Sequence, residues 1–368
     1  MRRIAELDGL RGVAAVGIVA AHLWTEYLPG FWAAVDVFFV LSGYLITAIV
    51  LRHSLCWDFL KSFYLRRGLR IWPIYYLLVL LLTLAGLGNA RALPYYLAYV
   101  QQTPFYWGGE MPIWILMEHT WTLALEERFY LIWPMLVLLA GPRRTGYLAL
   151  AIALVAVGAR GAGLHWWALL ARCDGFALGG FLAVIMAEPD VARARQRARR
   201  WAVVFTVLAA LVAALLIATG HLFEGFGPRT MAARATLASL GACILVMCVV
   251  RHAGHRALAP LRSAPLVYLG TISYGIYLYH YPIVKMSDTV GSSLRITPGP
   301  SLWAVECILT LVTAAISWHI IERPILRLKD RIPYRRGAVA AQEEKSSLHV
   351  PVTVELGNLL ISSRIGAR

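Results

Sequence analysis

Stretches of about twenty mainly apolar residues recur along almost the whole 368-residue chain, and no other feature constrains its fold as strongly. A stretch of that length matches the hydrocarbon thickness of a bilayer when helical. In lipid every backbone N–H and C=O must find a partner inside the protein, so only helices and closed barrels are open to such a chain. Barrel strands alternate apolar and polar residues with period two, and these stretches do not. The expected fold is therefore all-α, a polytopic integral membrane protein. With 59% hydrophobic residues and a mean hydropathy of +0.64, the chain is too apolar for a soluble protein of its size. The net charge of +15 could point to nucleic acid, but its placement argues for a membrane instead, and no nucleic-acid partner is expected.

About ten spans are predicted, at roughly 8–25, 31–51, 71–87, 119–140, 147–157, 166–187, 201–219, 231–250, 265–285 and 301–326. Basic residues collect at the N-terminus, in alternate links beginning with 52–70, and at the C-terminus. The other links hold few. That alternation is the positive-inside pattern and predicts both termini in the cytoplasm. Link 52–70 also carries apolar residues and reads as an interfacial helix, with Pro73 in the first turn of the third span. Link 88–118 is rich in tyrosine and tryptophan, an interfacial aromatic belt with the further capacity to stack on sugar rings. Residues 1–328 are expected to form one membrane domain and 329–368 a mostly disordered cytoplasmic tail. Arg11 interrupts what could otherwise pass for a signal-peptide core, so the first span is expected to be retained. Cys56, Cys173, Cys243, Cys248 and Cys307 are scattered without ligand or redox spacing, and neither a disulfide nor a metal site is expected.

Charged groups inside spans are costly and mark function by default. Arg11 and His22 are eleven residues apart in the first span, about three turns, so they share a face about 16 Å apart along the axis. With the topology above, Arg11 lies at the cytoplasmic end and His22 near the outer face. Asp36, Glu126, Arg172, Asp174 and His280 then fall in the outer half, and Arg66, Arg67 and Arg70 at the inner end. The outer set holds groups suited to proton transfer. The inner set holds arginines, which suit phosphate, and positions 66, 67 and 70 share a helix face. Anionic lipid headgroups are the bulk explanation for the other basic links. A ligand with phosphates at one end and a reactive atom well over 10 Å away fits Arg11 and His22 together. Acyl-CoA has that shape, with Arg11, Arg66, Arg67 and Arg70 as its phosphate ligands.

Several motifs occur in a telling order. Leu7-Asp8-Gly9-Leu10-Arg11-Gly12 leads to His22, and Val35-Asp36-Val37-Phe38-Phe39-Val40-Leu41-Ser42-Gly43-Tyr44 follows. Next come Arg66-Arg67-Gly68-Leu69-Arg70-Ile71-Trp72-Pro73 and Trp121-Thr122-Leu123-Ala124-Leu125-Glu126 with Phe129-Tyr130. Arg172-Cys173-Asp174-Gly175, then Ser273-Tyr274 with Tyr277-Leu278-Tyr279-His280-Tyr281-Pro282, and Glu322-Arg323-Pro324 complete the series. In this order they resemble the acyltransferase family 3 integral membrane proteins over about residues 5–326. The resemblance implies a bacterial inner-membrane O-acyltransferase that moves an acyl group, usually acetyl, from acyl-CoA. The implied acceptor is a hydroxyl of a glycan, a lipid-linked sugar or a macrolide. Some relatives carry a hydrolase-like C-terminal domain; none is expected here, so a second transfer step would use a partner enzyme.

In the expected mechanism His22 takes the proton of the acceptor hydroxyl, oriented by Asp36 or Glu126, with the choice left open. Acylation of His22 itself is the other route. The rival class is a proton-coupled transporter or flippase using the same intramembrane groups as a relay. That class shows two related halves with broken helices, and the sequence shows no such repeat.

Overall fold

The computed structural model describes residues 4–24, 27–28, 30–53, 57–101, 114–165, 168–188, 190–221, 228–293 and 299–334. Cys56, the tip of the aromatic link with Phe105, Tyr106 and Trp107, and the chain from 335 onward lie outside them. The described residues form helices and turns with no strand. In order these are α1 (Ala5–Leu23), α2 (Ala34–Val50), α3 (Trp57–Leu84), α4 (Leu93–Leu97), α5 (Trp121–Gly161), α6 (Leu169–Arg172) and α7 (Asp174–Met186). Then follow α8 (Val191–Ala218), α9 (Pro228–Arg251), α10 (Ala264–Thr271), α11 (Ser273–Ser293), α12 (Pro300–Ser317) and α13 (Arg323–Arg327).

Among the described residues, five helical stretches are long and apolar enough to cross a membrane: 31–50, 57–84, 192–218, 230–251 and 300–331. Their outer surfaces carry exposed Leu80, Leu84, Leu211, Leu215, Ile308 and Ile316, while Asp36, Arg160, Arg172, Asp174 and Glu306 are buried. Water would penalise that apolar surface, and lipid does not. The chain is an all-α membrane protein.

Two expectations change. The interfacial link 52–70 and the third span are a single helix, α3, with Pro73 in its interior rather than its first turn. Pro73 lacks the N–H that would bond the Leu69 carbonyl, and the helix runs on through this gap, as membrane helices often do at proline. The fourth and fifth spans run directly into each other in α5, turned only at Gly141, whose φ of 72° a glycine adopts without steric penalty. Residues 329–334, where the expected tail starts, are described and include Tyr334. His53 stacks on Phe59, and both rings meet Tyr334, with centroids 5.3 and 5.7 Å away.

Close helix contacts set the remaining geometry. α2 lies against α7 so tightly that a Cβ on Gly43 would collide with the Phe176 backbone, and one on Gly179 with that of Val40. Small residues allow this approach, and dispersion rather than hydrophobic burial holds helices together in lipid. α1 meets α10 in the same way, with Gly270 against the Asp8 backbone. α1 also packs on α11, and that pair carries the site.

Candidate functional site

Two cavities lie one beyond the other along α1. The first, about 80 Å³, is lined by Arg11, Arg67, Arg70, Ser42, Glu126, Tyr130, Ile18 and Tyr277 among others. The second, about 480 Å³, is lined by His22, Trp24, Tyr27, Tyr281, Lys285, Asp288, Trp303 and Glu306. Ile18 borders the first and His22 the second, and they are one helical turn apart, about 5.4 Å. The same-face reading of Arg11 and His22 thus places them at two adjoining chambers.

The first chamber is cationic. Arg67 and Arg70 project into it from α3, and Arg11 from α1, where Arg11 keeps only a loose ion pair with Asp8 at 3.7 Å. Arg67 lies 4.5 Å from the centre of the Tyr130 ring. Ser42 donates to Glu126 Oε1 at 2.7 Å, and its oxygen meets the Tyr130 hydroxyl at 2.9 Å. Arg66 does not join them. Its Nη1 donates to the carbonyls of Lys329 and Ile332 at 2.7 and 2.8 Å, and its guanidinium lies 4.8 Å from the centre of the Tyr334 ring. Residues 66 and 67 differ by about 100° around the helix, enough to send one arginine to the chamber and the other to the C-terminal segment.

A cluster of rings stands at the junction. His22 Nδ1 donates to Ile18 O at 2.9 Å, the ordinary helix-side use of that nitrogen, which leaves Nε2 with its lone pair. The His22 ring lies 5.0 Å from that of His280 and 5.1 Å from that of Tyr281. His119, in the turn 115–120 before α5, lies 5.2 Å from His280 and stacks on Tyr281 at 4.9 Å. Both ring nitrogens of His119 and the Nε2 of His280 are buried without a protein partner. Tyr277 donates to His119 O at 2.5 Å and meets Thr122 Oγ1 at 2.6 Å, closing the wall of the first chamber. Tyr281 donates to Glu118 Oε2 at 3.1 Å.

Neither carboxylate expected to orient His22 reaches it. Glu126 accepts from Ser42 and lines the arginine chamber. Asp36 is fully buried, accepting from Arg172 Nη2 at 3.0 Å and Ser239 Oγ at 2.9 Å. Beside it Arg160 grips Asp174 with two bonds of 3.0 and 2.8 Å and donates to Thr236 Oγ1 at 2.7 Å. Arg172 and Asp174 are thus tied into buried ion pairs across α2, α5, α7 and α9, away from His22. Of the outer candidates, only His280 joins it. Glu118 stands beside the ring cluster through its bond from Tyr281, whose ring meets that of His22. Sequence reasoning passed over Glu118 and His119 because they stand at a helix entrance beside the aromatic link. The depth rule that found His280 would have placed them at the same end.

The sequence model of a family described as an acyltransferase domain matches residues 4–322. A peptidoglycan O-acetyltransferase of Listeria monocytogenes is 27% identical over 91% of this chain and 57% of its own length. An O-acetyltransferase of Staphylococcus aureus is 26% identical over 96% of this chain and 63% of its own length. The chain spans about three fifths of the length of these curated relatives. No solved structure matches it. The family match runs through every element that lines the two chambers and ends within the turn after α12. The chain belongs to the acyltransferase family 3 of membrane proteins.

Proposed function

We propose that the protein is a membrane O-acyltransferase of a bacterial inner membrane, moving an acetyl group from acetyl-CoA to a glycan hydroxyl on the outer side. The observation that carries this reading is His22, with a free Nε2, at the junction of a narrow cationic chamber and a roomier polar one. Arg11, Arg67 and Arg70 mark the end for the phosphates, since guanidinium forks suit phosphate oxygens. The narrow first chamber suits a thin thioester arm and leaves no room for a sugar ring. The positive-inside pattern of the sequence, which puts the arginine end in the cytoplasm where acyl-CoA is made, supports the direction.

In the proposed reaction His22 Nε2 takes the proton of the acceptor hydroxyl as its oxygen attacks the thioester carbon. The C–O bond forms and the C–S bond breaks. The thiolate leaves towards the arginine end and takes a proton from the imidazolium. Glu118, held by Tyr281 beside the ring cluster, takes in this proposal the part that sequence reasoning assigned to Asp36 or Glu126, stabilising the imidazolium.

Sealed vesicles of known orientation test the reading. Acetylated product should form only with acetyl-CoA on the cytoplasmic face and a membrane-impermeant glycan on the other. Efficient transfer with both on the cytoplasmic face would replace the outer acceptor by a soluble cytoplasmic one. Proton-coupled solute uptake without any thiol release would replace the enzyme by a transporter.

The two neighbouring arginines should separate cleanly. Arg67→Ala is expected to raise the apparent constant for acetyl-CoA, since it removes a charged phosphate contact. Arg66→Ala should leave that constant nearly unchanged but cost about 1–3 kcal/mol of stability, the range for hydrogen bonds from a charged donor. It should also open the segment after Leu328 to protease. Equal effects of both on the acetyl-CoA constant would return Arg66 to the donor site.

A further inference from the structure

We infer that the larger cavity is the acceptor site and that it takes a neutral sugar ring against Trp303. This deepens the acyltransferase reading, on which the role of His22 in it depends. At about 480 Å³ it falls within the range of small-molecule pockets, whereas the arginine chamber is about 80 Å³. Its lining combines an aromatic face with hydroxyl-binding groups and the proposed base.

Trp303, on α12, is held in one orientation by its neighbours. Trp24 stands perpendicular to it with centroids 6.0 Å apart, and Tyr27 crosses it at 69° with centroids 6.4 Å apart. Such a fixed aromatic ring costs little further entropy on binding, and its face suits the C–H surface of a pyranose. Glu306, one turn along α12, faces the cavity although only 2% of its surface is exposed. Its carboxylate is an acceptor for sugar hydroxyls. Asp288 and Lys285, one turn apart on α11, form a 3.9 Å ion pair at the mouth and neutralise each other. The described lining then presents no unpaired cation to phosphates or carboxylates, which the arginine chamber attracts, and its hydroxyl-binding groups suit uncharged rings. The charge contrast sorts the two substrates to opposite sides of His22.

The aromatic link 88–118 was read as an interfacial belt with the further capacity to stack on sugar rings. Among its described residues Tyr96, Tyr99 and Trp114 are buried in the helical core. The described aromatic side chains of the cavity come instead from α11, α12 and the segment after α1.

The test is calorimetric binding of a β-1,4-linked N-acetylglucosamine tetrasaccharide to the full chain in detergent, with an anionic uronic-acid tetrasaccharide as comparison. Trp303→Ala should weaken binding of the neutral probe by about tenfold, the loss expected from one aromatic stacking contact. Trp303→Phe should retain most of the affinity, which shows that the fold survives at this position. Glu306→Gln should weaken the neutral probe and improve the anionic one. No binding by the wild type, equal binding by wild type and Trp303→Ala, or equal affinity for the two probes would overturn the site. Thiol release from acetyl-CoA is measured separately. Sugar binding that follows this pattern without any thiol release would leave the site standing and overturn the acyltransferase reading alone.

Discussion

His22→Ala is expected to lower acetyl transfer by about 10²–10⁴-fold, the contribution typical of a positioned general base. Binding of acetyl-CoA should be nearly unchanged, because the arginines that would hold it line the other chamber. The separation rests on geometry. His22 faces the larger cavity and bonds only to the Ile18 carbonyl of its own helix, so its removal strands no buried partner. His22→Gln keeps a polar group at this position but cannot accept the proton and regain it, so it should be as inactive as alanine. Steady-state rates with equilibrium acetyl-CoA binding on the same preparations check both parts. Activity of either variant close to wild type would show that the base lies elsewhere, with His119 and His280 next in position. A burst of one thiol per protein in the absence of acceptor would favour acylation of His22 over direct attack.

Asp36→Ala or Arg172→Ala should act in the opposite way and unfold the protein before touching its chemistry. The pair is fully buried at 3.0 Å, and removing one member leaves the other as an uncompensated charge, at a cost of about 3–5 kcal/mol. Asp36 also takes the proton of Ser239, so its loss frees a hydroxyl in the contact between α2 and α9. Replacing both residues together with leucine and methionine should recover much of the stability, because the burial penalty disappears with the charges. Thermal unfolding of the single and double variants measures this. An Asp36→Ala variant that melts like wild type yet has lost transfer would restore Asp36 to the catalytic set and break the structural assignment.

Much of the molecule was legible before any coordinates. Helices follow from a local property, the run of apolar residues, and the described residues of these runs are largely helical without any strand. The relation of Arg11 to His22 was legible for the same reason, since both lie on one helix whose pitch is known. The motifs in their order were enough to place the family. Depth along a span also follows from sequence, and it brought His280 to His22 correctly.

Azimuth between helices does not follow from sequence, and it decided the rest. Asp36, Arg172 and Asp174 share a depth range with His22, yet α2 is turned so that Asp36 meets residues 136 and 203 positions away in the chain. That rotation is set where α2 and α7 touch through Gly43 and Gly179, contacts no single-helix pattern encodes. The fate of Arg66 likewise waited on where the segment after α13 returned to the bundle. Sequence alone determined which helices carry polar groups inside their apolar runs, because hydropathy and helical pitch are local and strongly constrained. Only the tertiary structure decided which charge neutralises which and which remain for a substrate, because that choice depends on the rotation of whole helices about their close contacts.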